Sequence, residues 1–179
     1  CSVTPLGRDG APRDYSTMTG MQWVTPSWFS VMRVPLERGR MFSPADGPGA
    51  PKVALLNESA AKRFFGVENP IGKHISLGMG GVTDAEVIGI VGGVRERPDS
   101  MPGPITYVSF AQSPRPSMIV FARTSRDVAS LGNEIRRAVR DVGPQLAIYD
   151  MLSMTQRTAA ATAQDRFRAL LLTAFAVVA

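Results

Sequence analysis

The chain has 179 residues, enough for one domain with a substantial core, because burial becomes efficient at about 100 to 200 residues per domain. Its hydrophobic fraction of 44% and charged fraction of 20% exclude wholesale disorder, collagen and an all-membrane chain. The net charge of +5 is scattered among acids, and only 7% of residues are aromatic, so the surface reads as solvated rather than as a stacking platform for nucleic acid.

The opening CSVTPLGRDGAPRDYSTMTG has no steady periodicity and several breakers, and reads as an irregular lead-in before a strand at MQWV. Cys1 is the single cysteine, so neither an internal disulfide nor a cysteine-based zinc site can form. A thiol in that position is either a lipidated residue or the cut end of a longer chain. Thr25 as a cap and Pro26 at the first helical position predict a short helix over residues 26 to 32. RVPLERGRMFSPADGPGAP follows as a turn-rich connection ending at Pro51.

VALL is a continuous apolar run, expected of a strand covered on both faces, and Asn57 is placed to cap the helix behind it. Ala60 and Phe64, like Ala61 and Phe65, are four apart and share one side of that helix, which Gly66 stops. ENPIGKHISLG is a turn leading into a strand, with Gly72 at the corner, and GMGG at 78–81 is a hairpin tip. In the next strand, EVIGIVGGV, the glycines predict a bulge or a close neighbour. RERPDSMPGP is loop; ITYVSF and SMIVFART are then two strands joined antiparallel through AQSPRP.

Val128, Leu131, Ile135, Val139 and Val142 recur every three or four residues and predict a helix from about Asp127 to Val142, ended by Gly143 and Pro144. LAIYD then predicts a strand, giving a strand, helix, strand pattern. SMTQRTAAATAQDRFRA reads as helical and passes into ALLLTAFAVVA, eleven residues with Thr173 as the only polar side chain. At ~1.5 Å per residue this covers about half of a ~30 Å hydrocarbon core. Its apolarity all round reads as a membrane span cut short rather than a buried C-terminal helix.

Little in the chain is equipped for chemistry. GKH at 72–74 lacks the upstream glycines and the hydroxyl of a phosphate-binding loop, and GIVGGV leads to a loop containing Pro98 rather than to a helix. His74 is the only histidine, which excludes a histidine metal cluster and leaves a surface or rim residue as the better reading. No serine lies in a Gly-x-Ser-x-Gly turn. Asp9, Asp14, Asp46, Glu58, Asp84 and Glu86 sit in loops, at a cap or at a hairpin, where carboxylates serve caps and solvent. NES at 57–59 matches a glycosylation acceptor but falls on a strand-to-helix junction, so the match is accidental. No catalytic, cofactor-binding or metal residue is therefore assigned.

Four ordered blocks nevertheless form a pattern. VTPSWFSVMRVPLERGRMFSPAD resembles the opening of the extracytoplasmic core domain of MacB-like and FtsX-like ABC transporter permeases. VALLNESAAKRFFGVENPIGKHISLG resembles that family's next block, and VIGIVGGVR and FAQSP continue it in order. The similarity covers roughly residues 20 to 179. Gly93 and Ser109 depart from residues common in the family, at loop or strand edges.

The expected fold is α+β, a mixed sheet with packed helices. The expected organisation is a single core domain over 1–179. A discontinuous porter-like part would take up about 20–69 and 111–160, with an inserted subdomain at about 70–110 and the start of a membrane helix at 169–179. The resemblance implies a non-catalytic periplasmic domain at the inner membrane, needing no cofactor, which couples ATP-driven movement of membrane helices to export or to a periplasmic partner. It implies the permease's own membrane helices and a cytoplasmic ABC ATPase as partners, with a periplasmic adaptor and a dimeric transporter also in view, and no nucleic acid. A free extracytoplasmic ligand-binding module or lipoprotein is the alternative.

Overall fold

The structure, a computed structural model, describes residues 2–7, 10–12, 17–78, 83–94, 101–157 and 159. In chain order the elements are β1 (Ser2–Pro5), β2 (Thr17–Met18), β3 (Gly20–Val24), α1 (Pro26–Met32), β4 (Leu36–Gly39), β5 (Val53–Asn57) and α2 (Glu58–Phe65). They continue with β6 (His74–Leu77), β7 (Ala85–Val91), β8 (Ile105–Ser109) and α3 (Val128–Val142). The chain divides into two units, Cys1–Ala122 and Arg123–Ala179.

In the first unit one mixed sheet of eight strands runs β2-β1-β6-β7-β5-β8-β3, with β4 attached to β7. Its centre is β5, whose five residues are all buried. β5 runs parallel to β7 and antiparallel to β8, and β8 runs parallel to β3. Side chains alternate across a strand, so β5 feeds both faces. Ala54 and Leu56 join Ala60, Phe64, Val87 and Val108 under α2, while Val53 and Leu55 join Phe29, Phe42, Ile88 and Tyr107 under α1. Burial on both faces is why VALL carries no polar alternation.

α2 forms where expected. The Asn57 side chain accepts the backbone N–H of Ala60 at 2.9 Å, and the buried face is Ala60, Ala61, Phe64 and Phe65. α1 also spans the expected residues, with Phe29 as its buried anchor, but Thr25 does not cap it. Its hydroxyl pairs instead with that of Ser27 at 3.0 Å. The bulge expected from the glycines lies in β7, where the pairing with β5 shifts register between Ala54/Val87 and Leu55/Gly89.

Four expectations are corrected. The lead-in contains β1 and β2: β1 pairs antiparallel with β6, Val3 opposite Leu77 and Pro5 opposite Ile75. The connection after α1 contains β4, paired to β7 with Gly39 opposite Gly89. Both strands are four residues long and exist through long-range pairing, which local periodicity does not encode. Conversely, 117–124 and 146–150 have no regular secondary structure and join no ladder among the described residues, so the expected strand, helix, strand pattern does not form there. Their apolar composition suits a strand, but among the described residues no strand pairs with them.

β6, β7 and β8 are ladder partners of β1 and β5 within the same sheet, and the chain divides at Ala122/Arg123.

The second unit is built on α3, whose predicted extent holds. The Asp127 carboxylate accepts from the Ser130 backbone N–H at 2.9 Å, and the Gly143 N–H closes the last turn on the Val139 carbonyl. Gly132 is its buried residue, and a Cβ there would lie 3.1 Å from Met151 Sδ, so the absence of a side chain lets the returning chain approach. The hairpin tip lies partly, and the apolar tail at 169–179 wholly, outside the described residues. No described helix is long and apolar enough to cross a membrane.

Candidate functional site

The blocks that carry the sequence pattern converge on polar clamps that hold loops to the sheet. The first is built from the segment after β4. Gly39 has φ +82°, which turns Arg40 toward the loop, and Arg40 donates two hydrogen bonds to the Asp46 carboxylate at 2.7 and 2.9 Å. The backbone N–H and hydroxyl of Ser43 donate to the same carboxylate at 2.8 and 3.0 Å. Phe42, from the same loop, is buried against Phe29.

Asp46 was placed among solvent-serving carboxylates by sequence, yet it is buried. The Arg40 hydrogen bonds outweigh its desolvation and, with those from Ser43, bring its carboxyl down to about 2. The folded value thus lies below the unfolded one. The resulting stabilisation is complete above about pH 4 and is lost as pH falls toward 2. Arg40 is half exposed, so screening reduces the contribution to about 1 to 2 kcal/mol. We expect acid titration of unfolding to show this loss between pH 4 and 2 and Asp46→Asn to flatten it. An unchanged profile in the variant would exclude the clamp.

The second clamp is Asn57. Besides capping α2, its Oδ1 accepts the Ile105 N–H at 3.0 Å and its Nδ2 donates to the Gly103 carbonyl at 2.7 Å. One fully buried amide therefore ties the end of β5, the start of α2 and the entry to β8. This also shows that Asn57 is inaccessible as a glycosylation acceptor in the folded protein. Asn57→Ala removes the cap and strands two backbone groups, and should cost about 2 to 4 kcal/mol in denaturant unfolding. Asn57→Asp, which keeps the two accepting bonds, should lose less.

The third is Gln112 in FAQSP. Its Oε1 accepts the Val53 N–H at 3.1 Å, its Nε2 donates to the Pro51 carbonyl at 2.8 Å, and its own carbonyl accepts Lys52 Nζ at 2.7 Å. Sequence reasoning read this residue as part of a strand connection. The missed signal was a long amide side chain in a short connection, able to donate and to accept at once.

The residues weighed for chemistry are not brought together. His74 is half exposed at the start of β6, with Nδ1 2.5 Å from Asp84 Oδ1 and Glu86 opposite it across the ladder. Lys73 pairs with Glu68 and lies over the Phe65 ring, 5.3 Å from its centroid, so the GKH stretch serves the turn. Glu58 sits in the first turn of α2. Among the described residues no three histidine, cysteine or acidic side chains are grouped to hold a metal ion. Tyr107 is fully buried, its hydroxyl has no partner among the described residues, and burial pushes it up to about 12. It therefore remains a neutral packing group, edge-on to Phe29 at 5.2 Å and tilted against Trp28 at 5.4 Å. Asp9 and Asp14 lie outside the described residues.

What the first unit presents outward is a short apolar surface. Met118, Ile119 and Val120 are each more than half exposed. They lie between Arg115, stacked 3.9 Å above the Trp23 ring, and Phe121, whose ring meets Trp28 at 6.5 Å. Consecutive exposed apolar side chains, anchored at both ends, suit contact with another surface better than catalysis.

A mixed sheet clamped at its loops, with helices packed on it, defines a structural α+β domain. Comparison with known proteins supplies the family. Residues 2–138 match the model of the MacB-like periplasmic core domain, and the chain belongs to that family, the periplasmic domain of MacB-like ABC transporter permeases. Among solved structures, the periplasmic region of MacB from Actinobacillus actinomycetemcomitans aligns with a TM-score of 0.55 at 16% identity, covering 79% of this chain and 66% of that one. The extracellular domain of the noncanonic ABC-type transporter YknZ from Gram-positive bacteria aligns with a TM-score of 0.46 at 20% identity, covering 62% of this chain and 50% of that one. A domain of a putative permease from Porphyromonas gingivalis gives 0.47 at 12% identity, with 78% and 62% covered. The chain thus spans between half and about two thirds of these solved chains. No curated protein matches it.

Proposed function

We propose that this domain is a non-catalytic relay: it faces the periplasm from the inner membrane and converts ATP-driven movement of its permease's membrane helices into export or engagement of a periplasmic partner. The reading rests on the family match over residues 2–138. The clamps at Asp46, Asn57 and Gln112 support it, because a part that transmits motion has to move as a body, and loops tied to a sheet resist local deformation. A cytoplasmic ABC ATPase is the energy source in this reading. The exposed run at 118–120 is a surface for a neighbouring subunit or adaptor, and two permease halves form the working transporter.

The test is removal of this domain from the parent permease. ATP hydrolysis by the partner ATPase should persist while transport is lost, whereas undiminished transport would overturn the relay. Side of the membrane is checked separately. Val67 is fully exposed, so Val67→Cys in a Cys1→Ser background should react with a membrane-impermeant maleimide applied to spheroplasts. Labelling only after lysis would place the domain on the cytoplasmic side.

A further inference from the structure

We propose that residues 117–121 are a strap for the free edge of β3, closing on it as an added antiparallel strand and reopening to present their apolar side chains. β3 is last in its sheet, with β8 on one side and no strand among the described residues on the other. The Gly20 N–H donates to the Pro104 carbonyl at 2.9 Å and the Val24 carbonyl accepts the Phe110 N–H at 3.0 Å, so both residues turn their backbones toward the β8 side. Gln22 shares their direction by alternation. Met21 and Trp23 therefore point their N–H and C=O groups outward, an edge with which an extended segment can pair.

The chain brings such a segment to that edge. At the end of β8 the Ser109 carbonyl accepts the N–H groups of Gln112 and Ser113, both at 3.1 Å, and closes a turn. Beyond it Arg115 stacks 3.9 Å from the centre of the Trp23 ring, so the chain has doubled back to β3, on the face where Met21 and Trp23 pack with the α2 layer. Phe121 meets Trp28 at 6.5 Å on the opposite face, under α1. Residues 116–120 thus pass round β3, with Met118, Ile119 and Val120 each more than half exposed.

Alternation fixes the register. Phe121 lies on the α1 face, so in a strand Ile119 joins it, while Met118 and Val120 join Met21 and Trp23 on the other face. Pro116 has no N–H to give, so Met118 is the first residue that can pair fully with Trp23, and Val120 then stands opposite Met21. Each of these pairs exchanges both backbone hydrogen bonds, and Gln22 faces Ile119 between them as the close, non-hydrogen-bonded pair. Closure satisfies the edge but costs the strap its freedom, and this opposition makes the segment a two-state element. Closed, it divides the run at 118–120 between two faces; open, it presents that run whole. The strap does not depend on the relay reading. Only its consequence does, that closure and contact of 118–120 with a partner exclude each other.

The test is a disulfide in the 179-residue chain carrying Cys1→Ser. Gln22→Cys with Ile119→Cys places two thiols on one face at the separation a disulfide accepts, whereas Gln22→Cys with Val120→Cys places them on opposite faces. Mild oxidation should bridge the first pair within one chain at least about tenfold faster than the second. The bridge should also slow amide hydrogen exchange at Met21 and Trp23 by about tenfold or more, and reduction should restore it. Gln22 and Ile119 lie outside the buried core, so the reduced variants should keep the thermal midpoint of the parent. Equal bridging rates for the two pairs would overturn the strap, as would bridges formed mainly between two chains, or exchange at Met21 and Trp23 that the bridge leaves unaltered.

Discussion

Gly39→Ala is expected to cost about 4 kcal/mol or more, a large share of the about 5 to 15 kcal/mol that separates folded from unfolded domains. Two effects add. At φ +82° an alanine is strained in a way that glycine is not. Its Cβ would also lie 2.3 Å from the Ile88 carbonyl oxygen and 2.7 Å from Gly89 Cα, and these are backbone atoms that no rotamer change can move. Relief requires β4 to part from β7, which pulls Arg40 from Asp46 and lifts Phe42 from the face beneath α1. A drop of about 8 to 16 °C in thermal midpoint corresponds to this cost for a chain of this length. Gly103→Ala is the control: no atom lies within 4 Å of its Cβ position, so its midpoint should stay within about 0.5 kcal/mol of the parent's. Equal midpoints for the two variants would show that β4 is not held against β7.

Phe64→Ala should cost about 3 to 5 kcal/mol. Phe64 is fully buried between α2 and the sheet, among Ala54, Leu56, Val87 and Val108, and removing its ring leaves a cavity that two rigid layers cannot close. Alanines at 60 and 61 bring the helix close to the sheet, so Phe64 is the large group on which this layer depends. Phe64→Leu fills most of the space and should lose about 1 to 1.5 kcal/mol, whereas Arg63→Ala, on the exposed side of the same helix, should be near neutral within about 0.5 kcal/mol. Denaturant midpoints at constant m-value would check the series. A Phe64→Ala midpoint like that of Arg63→Ala would mean that α2 is not docked as described.

These effects bear on function through rigidity. In the proposed relay, a domain loosened at Gly39 or Phe64 would absorb the movement of its membrane helices instead of passing it on. Reduced transport with intact ATP hydrolysis would follow before any loss of expression. The expectation concerns mechanical coupling, so a variant such as Phe64→Leu, which retains the layer, should retain transport.

The amino-acid sequence by itself determined the elements whose signals are local. β5 was legible because VALL is apolar without a break. α2 was legible because Asn57 caps it and Ala60, Ala61, Phe64 and Phe65 share one side, and α3 because its apolar residues recur with the helical period. The α+β class and the family followed from the order of four blocks, none of which acts through chemistry at a single residue. Tertiary structure decided everything that depends on partners distant in the chain. β1 and β4 became strands only because β6 and β7 offer them an edge, while 117–124 and 146–150, better strand formers by composition, found none. It also decided that Asp46 is buried and ion-paired while Asp84 is exposed, two carboxylates that look alike in sequence. Hydrogen bonding along a helix is settled within a few residues; sheet pairing and burial of charge are settled by whatever the rest of the chain brings alongside.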